Sequence, residues 1–332
     1  MKVAFFSAKS YDRDFMNSAN ESFNHELSYH DTALSARTAI LAQDCPAVCL
    51  FVNDTADAPA LEQLHEQGVE LIALRSAGFN NVDLDRAQEL GLTVVRVPAY
   101  SPHAVAEHAL AMILTLNRKT HLAYQRIQSG NFSLERLMGF ELHGKTVGVI
   151  GSGKIGQLFA RKMRGLGCSV RVYDPHPDES FGQEEGITYV DQPTLFAESA
   201  IISLHCPLTK ETHHIIDAKA VEQMQDNVML INTSRGALVD TQAVIQGLKS
   251  QKVGYFGLDV YEQEENLFFE DLSGAIIQDD QITRLMTFPN VLITSHQAFF
   301  TEQAMRQIAD TTLQNITDFE RGNPLENRIE RS

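Results

Sequence analysis

Three side chains in the C-terminal half of the chain have the types and settings that proton and hydride chemistry require. Arg235 follows the apolar run "VMLINTS" (228–234), Glu264 lies shortly after "GYFGLDV" (254–260), and His296 closes "VLITSH" (291–296). Arginine is almost never fully buried without a partner, so a guanidinium at the mouth of a buried strand asks for an anion. Taken singly, each residue has a bland explanation: a surface arginine, a solvated glutamate in the acidic run 262–265, a packed core histidine. Glu262 and Glu265 also compete with Glu264 for any carboxylate role. Their order behind three later strands points to a site, because open α/β sheets bind ligands at the carboxyl ends of their strands. A cation, a carboxylate and an imidazole meeting there can grip an anionic carbonyl compound and exchange a proton with its oxygen.

A second cluster supplies the redox partner. "KTVGVIGSGKIGQLFARKMRGLGCSVRVYD" (145–174) holds Gly151, Gly153 and Gly156 in Gly-x-Gly-x-x-Gly spacing, between a strand and an amphipathic helix, and its second strand ends in Asp174. In a dinucleotide site the first glycine permits the tight turn, the second lets the backbone approach the pyrophosphate, and the third allows close helix–strand packing. Amides at the helix N-terminus then face the diphosphate. Asp174 can accept from the adenosine ribose hydroxyls and repels a 2′-phosphate. Pro175 and His176 follow it, with no arginine to welcome that phosphate, so the spacing predicts NAD (NADH) rather than NADP. Beside a nicotinamide, the triad reads as hydride chemistry.

The elements that position these groups alternate along the whole chain. "KVAFF", "AVCLFV", "LIALRS", "LTVVRVP", "KTVGVIG", "SVRVYD", "AIISLHCP", "VMLINTS", "GYFGLDV" and "VLITSH" are mostly continuous apolar, β-branched runs, the pattern of parallel strands covered on both faces. Helical stretches between them imply right-handed α/β units. A chain of 332 residues exceeds what one core usually supports. After "RVPAYSP", Ser101 and Pro102 read as N-cap and first helical residue, and one long helix is expected to run to Gly130. The expected fold is α/β, with two Rossmann-like doubly wound parallel-sheet domains and a ligand cleft between them. Residues 1–100 with 299–332 form the discontinuous substrate domain and 101–298 the NAD-binding domain.

Composition excludes other classes. A net charge of −16 argues against nucleic acid or an anionic membrane as partner, since both need a basic footprint. No run approaches a membrane span, and the N-terminus reads as a first strand rather than a signal peptide. Cys45, Cys49, Cys168 and Cys206 match neither zinc nor redox spacing and read as packed, reduced thiols of a cytoplasmic protein. No metal is expected: His103, Glu107 and His108 share one helix without an obvious third ligand. His205 reads as a packing residue, His213 and His214 as loop surface.

Together these motifs resemble the NAD-dependent D-2-hydroxyacid dehydrogenases over essentially the whole chain, through "GSGKIG", Asp174, "HCPLT" (205–209), "NTSRGALVD", "GLDVYEQE" (257–264) and "SHQAF" (295–299). "RSAGFNNVDLD" and "LFFEDLSGAIIQDD" are similar to the bacterial fermentative D-lactate branch of that family. The resemblance implies that Arg235 holds the substrate carboxylate, with Glu264 as a further candidate partner, and that His296 is the general acid in reduction and the base in oxidation. Glu264 would pair with His296 and favour the imidazolium. Main-chain donors around Ser76, Ala77 and Gly78 would hold the carboxylate, and Tyr100 and Phe299 would wall a small methyl pocket. Cofactor contacts would fall on Gly151, Gly153, Lys154, Ile155, Gly156, Asp174, Cys206, Pro207, Thr212, Thr233, Ser234, Arg235 and Asp259, the last receiving the nicotinamide carboxamide. The implied reaction is reduction of pyruvate, a small 2-keto acid, to D-lactate by a homodimer or homotetramer. A preference for bulkier 2-keto acids and a non-catalytic NAD-sensing protein are the alternatives.

Overall fold

The structure, a computed structural model, describes residues 1–264 and 267–329. The chain divides into two compact units, Met1–Ser101 with Phe300–Ser332, and Pro102–Phe299, so each seam falls one residue beyond the expected one.

The first unit opens with β1 (Lys2–Phe5), α1 (Ser10–Asn20), β2 (Glu26–Tyr29), β3 (Ala47–Leu50), α2 (Ala58–Glu66), β4 (Leu71–Leu74), α3 (Leu84–Glu89) and β5 (Thr93–Val95). Its strands are all parallel, in the order β2-β1-β3-β4-β5. Alternate residues explain why the runs are continuously apolar. Ala4, Val48, Leu50, Ile72 and Leu74 enter one core, while Val3, Phe5, Cys49, Leu71 and Ala73, on the opposite face, are equally buried.

The second unit contains α4 (Pro102–Arg118), α5 (Thr120–Gln128), β6 (Thr146–Ile150), α6 (Lys154–Gly165), β7 (Ser169–Tyr173), α7 (Glu179–Gly182), β8 (Ile187–Tyr189), α8 (Gln192–Glu198), β9 (Ile201–Leu204), α9 (Ala218–Gln223), β10 (Val228–Asn232), α10 (Thr241–Lys249), β11 (Val253–Leu258), α11 (Asp280–Met286) and β12 (Val291–Ile293). The chain then returns to the first unit as α12 (Glu302–Arg321), which packs on α1 and β4. The seven strands of the second sheet are parallel in the order β12-β11-β10-β9-β6-β7-β8. The connection reverses direction between β6 and β9, the crevice where doubly wound sheets bind ligands. Val147, Val149, Met229 and Ile231 enter the core on one face, Ile150, Val228 and Leu230 the core on the other. Truncating one such residue, for example Ile231→Ala, should cost about 2–5 kcal/mol.

Three elements differ from the sequence reading. The strands β2 and β8 are unanticipated, and both are sheet edges, where a run need not be apolar on both faces. The long helix predicted from Pro102 to Gly130 breaks at Lys119, which takes a left-handed φ of 52°. The break has an identifiable cause. Asn117 donates to the Phe140 carbonyl and accepts from its amide, both at 2.8 Å, and the Lys119 ammonium caps the Met138 carbonyl at 2.6 Å. Segment 138–140 thus docks where the next helical turn would continue. Third, Ser101 has φ 33° rather than an extended cap geometry.

Candidate active site and dinucleotide site

The glycine turn leaves β6 at the reversal point. Gly151 has φ 97°, and a Cβ there would meet the Cys206 amide nitrogen at 2.6 Å. A Cβ on Gly156 would lie 2.0 Å from the Gly151 carbonyl oxygen, so α6 can sit this close to β6 only without one. Gly153 has open space where its side chain would be, and it starts α6 without a side-chain cap, so the first amides of the helix are available to an anion. Lys154 and Ile155 form that first turn.

Asp174, just beyond β7, accepts from the Ser152 amide at 2.7 Å, the Ser152 hydroxyl at 2.9 Å and the His176 amide at 2.9 Å. Burial opposes its charge, but these donors outweigh it and hold the carboxyl below the usual aspartate range. At the end of β9, burial against Phe159 pushes the His205 imidazole down to about 3, so it packs the turn as a neutral ring. Cys206 is buried and its thiol is pushed up to about 11 by that burial, which leaves shape and backbone as its contribution. Thr212 folds the following loop by donating to the Pro207 carbonyl at 2.7 Å. After β10, Ser234 donates to the Cys206 carbonyl at 2.7 Å. The Thr233 hydroxyl is buried with no partner among the described residues. A cradle that only glycine permits, uncapped helix amides, an ionised acid after the second strand and an orphaned buried hydroxyl fit a dinucleotide.

Arg235, Glu264 and His296 follow β10, β11 and β12, which are neighbours in register: Asn232 pairs with Leu258, and Leu258 with Ile293. The guanidinium of Arg235 donates to the Ser234 carbonyl at 2.7 Å, and among the described residues no carboxylate forms an ion pair with it. Glu264 is committed elsewhere. One of its oxygens lies 2.9 Å from His296 Nδ1, and the other accepts from the Tyr261 amide at 3.0 Å. An ionised carboxylate only accepts, so Nδ1 carries the hydrogen and Nε2 is the ring's other working nitrogen. Phe269 packs against the imidazole at 5.9 Å.

The competing carboxylates separate cleanly. Glu262 binds His214 at 2.6 Å and the Thr241 amide at 2.9 Å, so His214 is not the plain loop-surface residue expected. Glu265 lies outside the described residues. Asp259 is fully buried. Its carboxylate accepts from the Thr294 hydroxyl, the Gln297 amide (2.9 Å) and the Ala298 amide (2.8 Å), with His108 at 3.4 Å. Its carbonyl accepts from the His296 amide at 2.7 Å. These oxygens serve the His296 turn before any carboxamide. Of the three helix residues weighed for metal, His108 also reaches the Thr294 hydroxyl at 3.0 Å and Glu107 bonds Lys162 at 2.9 Å. Phe299 is buried in this unit.

In the first unit, Ser76 is buried and its hydroxyl donates to the Gly78 carbonyl at 2.8 Å, closing a turn that includes Ala77 at the end of β4. Tyr100 is half-buried. The residue just before this turn was not singled out from the sequence. Arg75 is 1% exposed, donates to the Ser7 carbonyl at 2.9 Å and faces the Asp12 carboxylate at 3.4 Å. Among the described residues it is the buried arginine, and its signal was the cation inside "LIALRS". Gly236 was missed too: a Cβ there would lie 2.1 Å from the Tyr261 carbonyl carbon.

Comparison with known proteins agrees with this architecture. The family profile described as D-isomer specific 2-hydroxyacid dehydrogenase, NAD binding domain, matches residues 110–298. The chain is 54% identical to the D-lactate dehydrogenase of Escherichia coli K12 over 329 residues, 99% of this chain and 100% of that one. The apo-structure of D-lactate dehydrogenase from Escherichia coli superposes with a TM-score of 0.92 at 52% identity, covering 99% and 100% of the two chains. D-lactate dehydrogenase with NAD+ from Lactobacillus jensenii gives a TM-score of 0.82 at 33% identity, covering both chains fully. With its glycine cradle at the reversal point of the seven-stranded sheet, the chain belongs to the D-isomer specific 2-hydroxyacid dehydrogenases, NAD-dependent oxidoreductases built from two parallel-sheet α/β domains.

Proposed function

We propose that this protein is a D-lactate dehydrogenase, reducing pyruvate to D-lactate with NADH and running in reverse when lactate and NAD accumulate. The observation that carries the reading is the His296–Glu264 pair at 2.9 Å, which joins the ends of β12 and β11, the latter next to the strand that presents Arg235. Bound NADH supplies the hydride. The chain's own groups do the rest. Arg235 takes the carboxylate of the keto acid in the two-pronged geometry that a planar guanidinium favours. His296 delivers the Nε2 proton to the carbonyl oxygen as the carbon is reduced, and Glu264 steadies the imidazolium until then. In oxidation the same nitrogen accepts the hydroxyl proton.

By the same reading the first unit is the substrate domain. The amides of its 76–78 turn are donors to a carboxylate, and Tyr100 of this unit favours a small substrate side chain. The exposed Tyr124, Ile127, Phe132, Leu134 and Met138, on α5 and the segment after it, support a homodimer, alone or doubled into a tetramer. Four buried, unpaired cysteines support a cytoplasmic location.

The test is a panel of pyruvate, phenylpyruvate and 2-ketoisocaproate with NADH and NADPH, with the product's chirality determined. The expected result is highest kcat/KM on pyruvate, preference for NADH, and D-lactate. Higher kcat/KM on a bulkier acid, or an L product, overturns the assignment.

A further inference from the structure

We infer that His214 and Glu262, which lie outside the catalytic pair, act as positioning residues that fix the Arg235 turn for the substrate carboxylate; the inference rests on the assignment of Arg235 above. Glu262 joins three segments. One oxygen binds His214 Nε2 at 2.6 Å, and the other accepts from the Thr241 amide, the first of α10, at 2.9 Å. His214 in turn donates its own amide to the Ala237 carbonyl at 2.9 Å, one residue into the 3-10 turn (Gly236–Leu238) that follows Arg235. The same turn presses backbone to backbone on the strand β11 exit, since Gly236 leaves no room for a Cβ against Tyr261 and Glu262. The segments before, at and after Arg235 are therefore tied to the stretch that also carries Glu264.

Two features argue that this tie is functional geometry and not incidental surface pairing. His214 has φ 53°, a strained conformation for a non-glycine residue that persists only where its surroundings hold it. The pair is also partly withdrawn from water, with side-chain exposures of 33% and 19%, in contrast to the open Arg306–Glu302 pair on α12. Among the described residues the Arg235 side chain hydrogen-bonds only the adjacent Ser234 carbonyl, so its direction depends on the backbone that these contacts fix. Misplacement of a substrate-binding group by as little as 1 Å can cost up to about 100-fold.

The experiment measures KM for pyruvate and for NADH, kcat and thermal midpoint for Arg235→Gln, Glu262→Ala, His214→Ala, His214→Gln and the Arg235→Gln/Glu262→Ala double variant. Glu262→Ala and His214→Ala should raise the pyruvate KM about tenfold while the NADH KM stays within about threefold. The Gln side chain of His214→Gln carries an Nε2 donor and should recover most of that loss. The double variant should be no worse than Arg235→Gln alone, because both changes act on one interaction. An unchanged pyruvate KM in Glu262→Ala, alongside a raised one in Arg235→Gln, overturns the positioning role. So does a uniform loss in both KM values and in the thermal midpoint without rescue by His214→Gln. An unchanged pyruvate KM in Arg235→Gln instead removes the assignment beneath it.

Discussion

His296 has a left-handed backbone, φ 52°, a conformation that costs a non-glycine residue on the order of 1–3 kcal/mol and survives only when neighbours over-determine it. Asp259 is that neighbour: its carbonyl takes the His296 amide, and its carboxylate takes the amides of Gln297 and Ala298. Asp259→Asn would turn an amide donor toward these donors, so stability at pH 7 should fall by about 1–3 kcal/mol and kcat with it, read by urea titration and initial rates. Burial opposes the Asp259 charge, but His108, Thr294 and the loop amides outweigh it and hold the carboxyl below its ordinary range. The sign follows: the contribution is complete above about pH 4, where an ordinary aspartate titrates, and is lost as pH falls through the lowered value. The stability gap between parent and variant should therefore narrow on acidification; a gap that widens would contradict an ionised Asp259. Glu264→Gln is a different kind of change. It keeps an acceptor for the 2.9 Å contact with His296 Nδ1 and deletes only the charge, so initial rates of pyruvate reduction should fall less than in Glu264→Ala, whereas equal losses in the two variants would deny that contact its orienting role.

At the scale of elements, the reading from sequence succeeded where one physical cause dominates and failed where a distant partner decides. Ten strands announced themselves by continuous apolar runs; β2 (Glu26–Tyr29) and β8 (Ile187–Tyr189), short and with polar residues in them, carried no such run. The glycine turn was legible because its spacing encodes backbone contacts. Gly156→Ala tests that directly: with a Cβ placed 2.0 Å from the Gly151 oxygen, α6 must shift, and the NADH KM should rise at least about tenfold while pyruvate binding to the loaded enzyme changes less. The helix break at Lys119 was hidden because its cause, the docking of Phe140 on Asn117, lies 23 residues downstream. His214 read as surface for the same reason, its partner being 48 residues away. Arg235, Glu264 and His296 were visible as residue types behind strands, but which acid would meet the imidazole was not. Glu262 and Glu264 are two residues apart, and only the turn at Tyr261 sends one to His214 and the other to His296.

For the whole molecule, charge and exposed apolar surface oppose each other. Each chain carries −16, so two copies repel, and at physiological salt that repulsion is screened beyond about 8 Å. In the homodimer proposed above, the force that overcomes it is burial of the patch formed by Tyr124, Ile127, Phe132, Leu134 and Met138, worth roughly 25 cal/mol for each Å² removed from water. Dimerisation through this patch should then strengthen as sodium chloride rises from low to physiological concentration, because screening removes the cost and leaves the apolar gain. Phe132→Glu with Leu134→Glu should abolish it, since each adds a charge to the buried face and to the repulsion. Sedimentation velocity at several salt concentrations measures both effects. Association that weakens with salt would mean that ion pairs across the interface carry the contact, and a double variant that still dimerises would place the interface elsewhere.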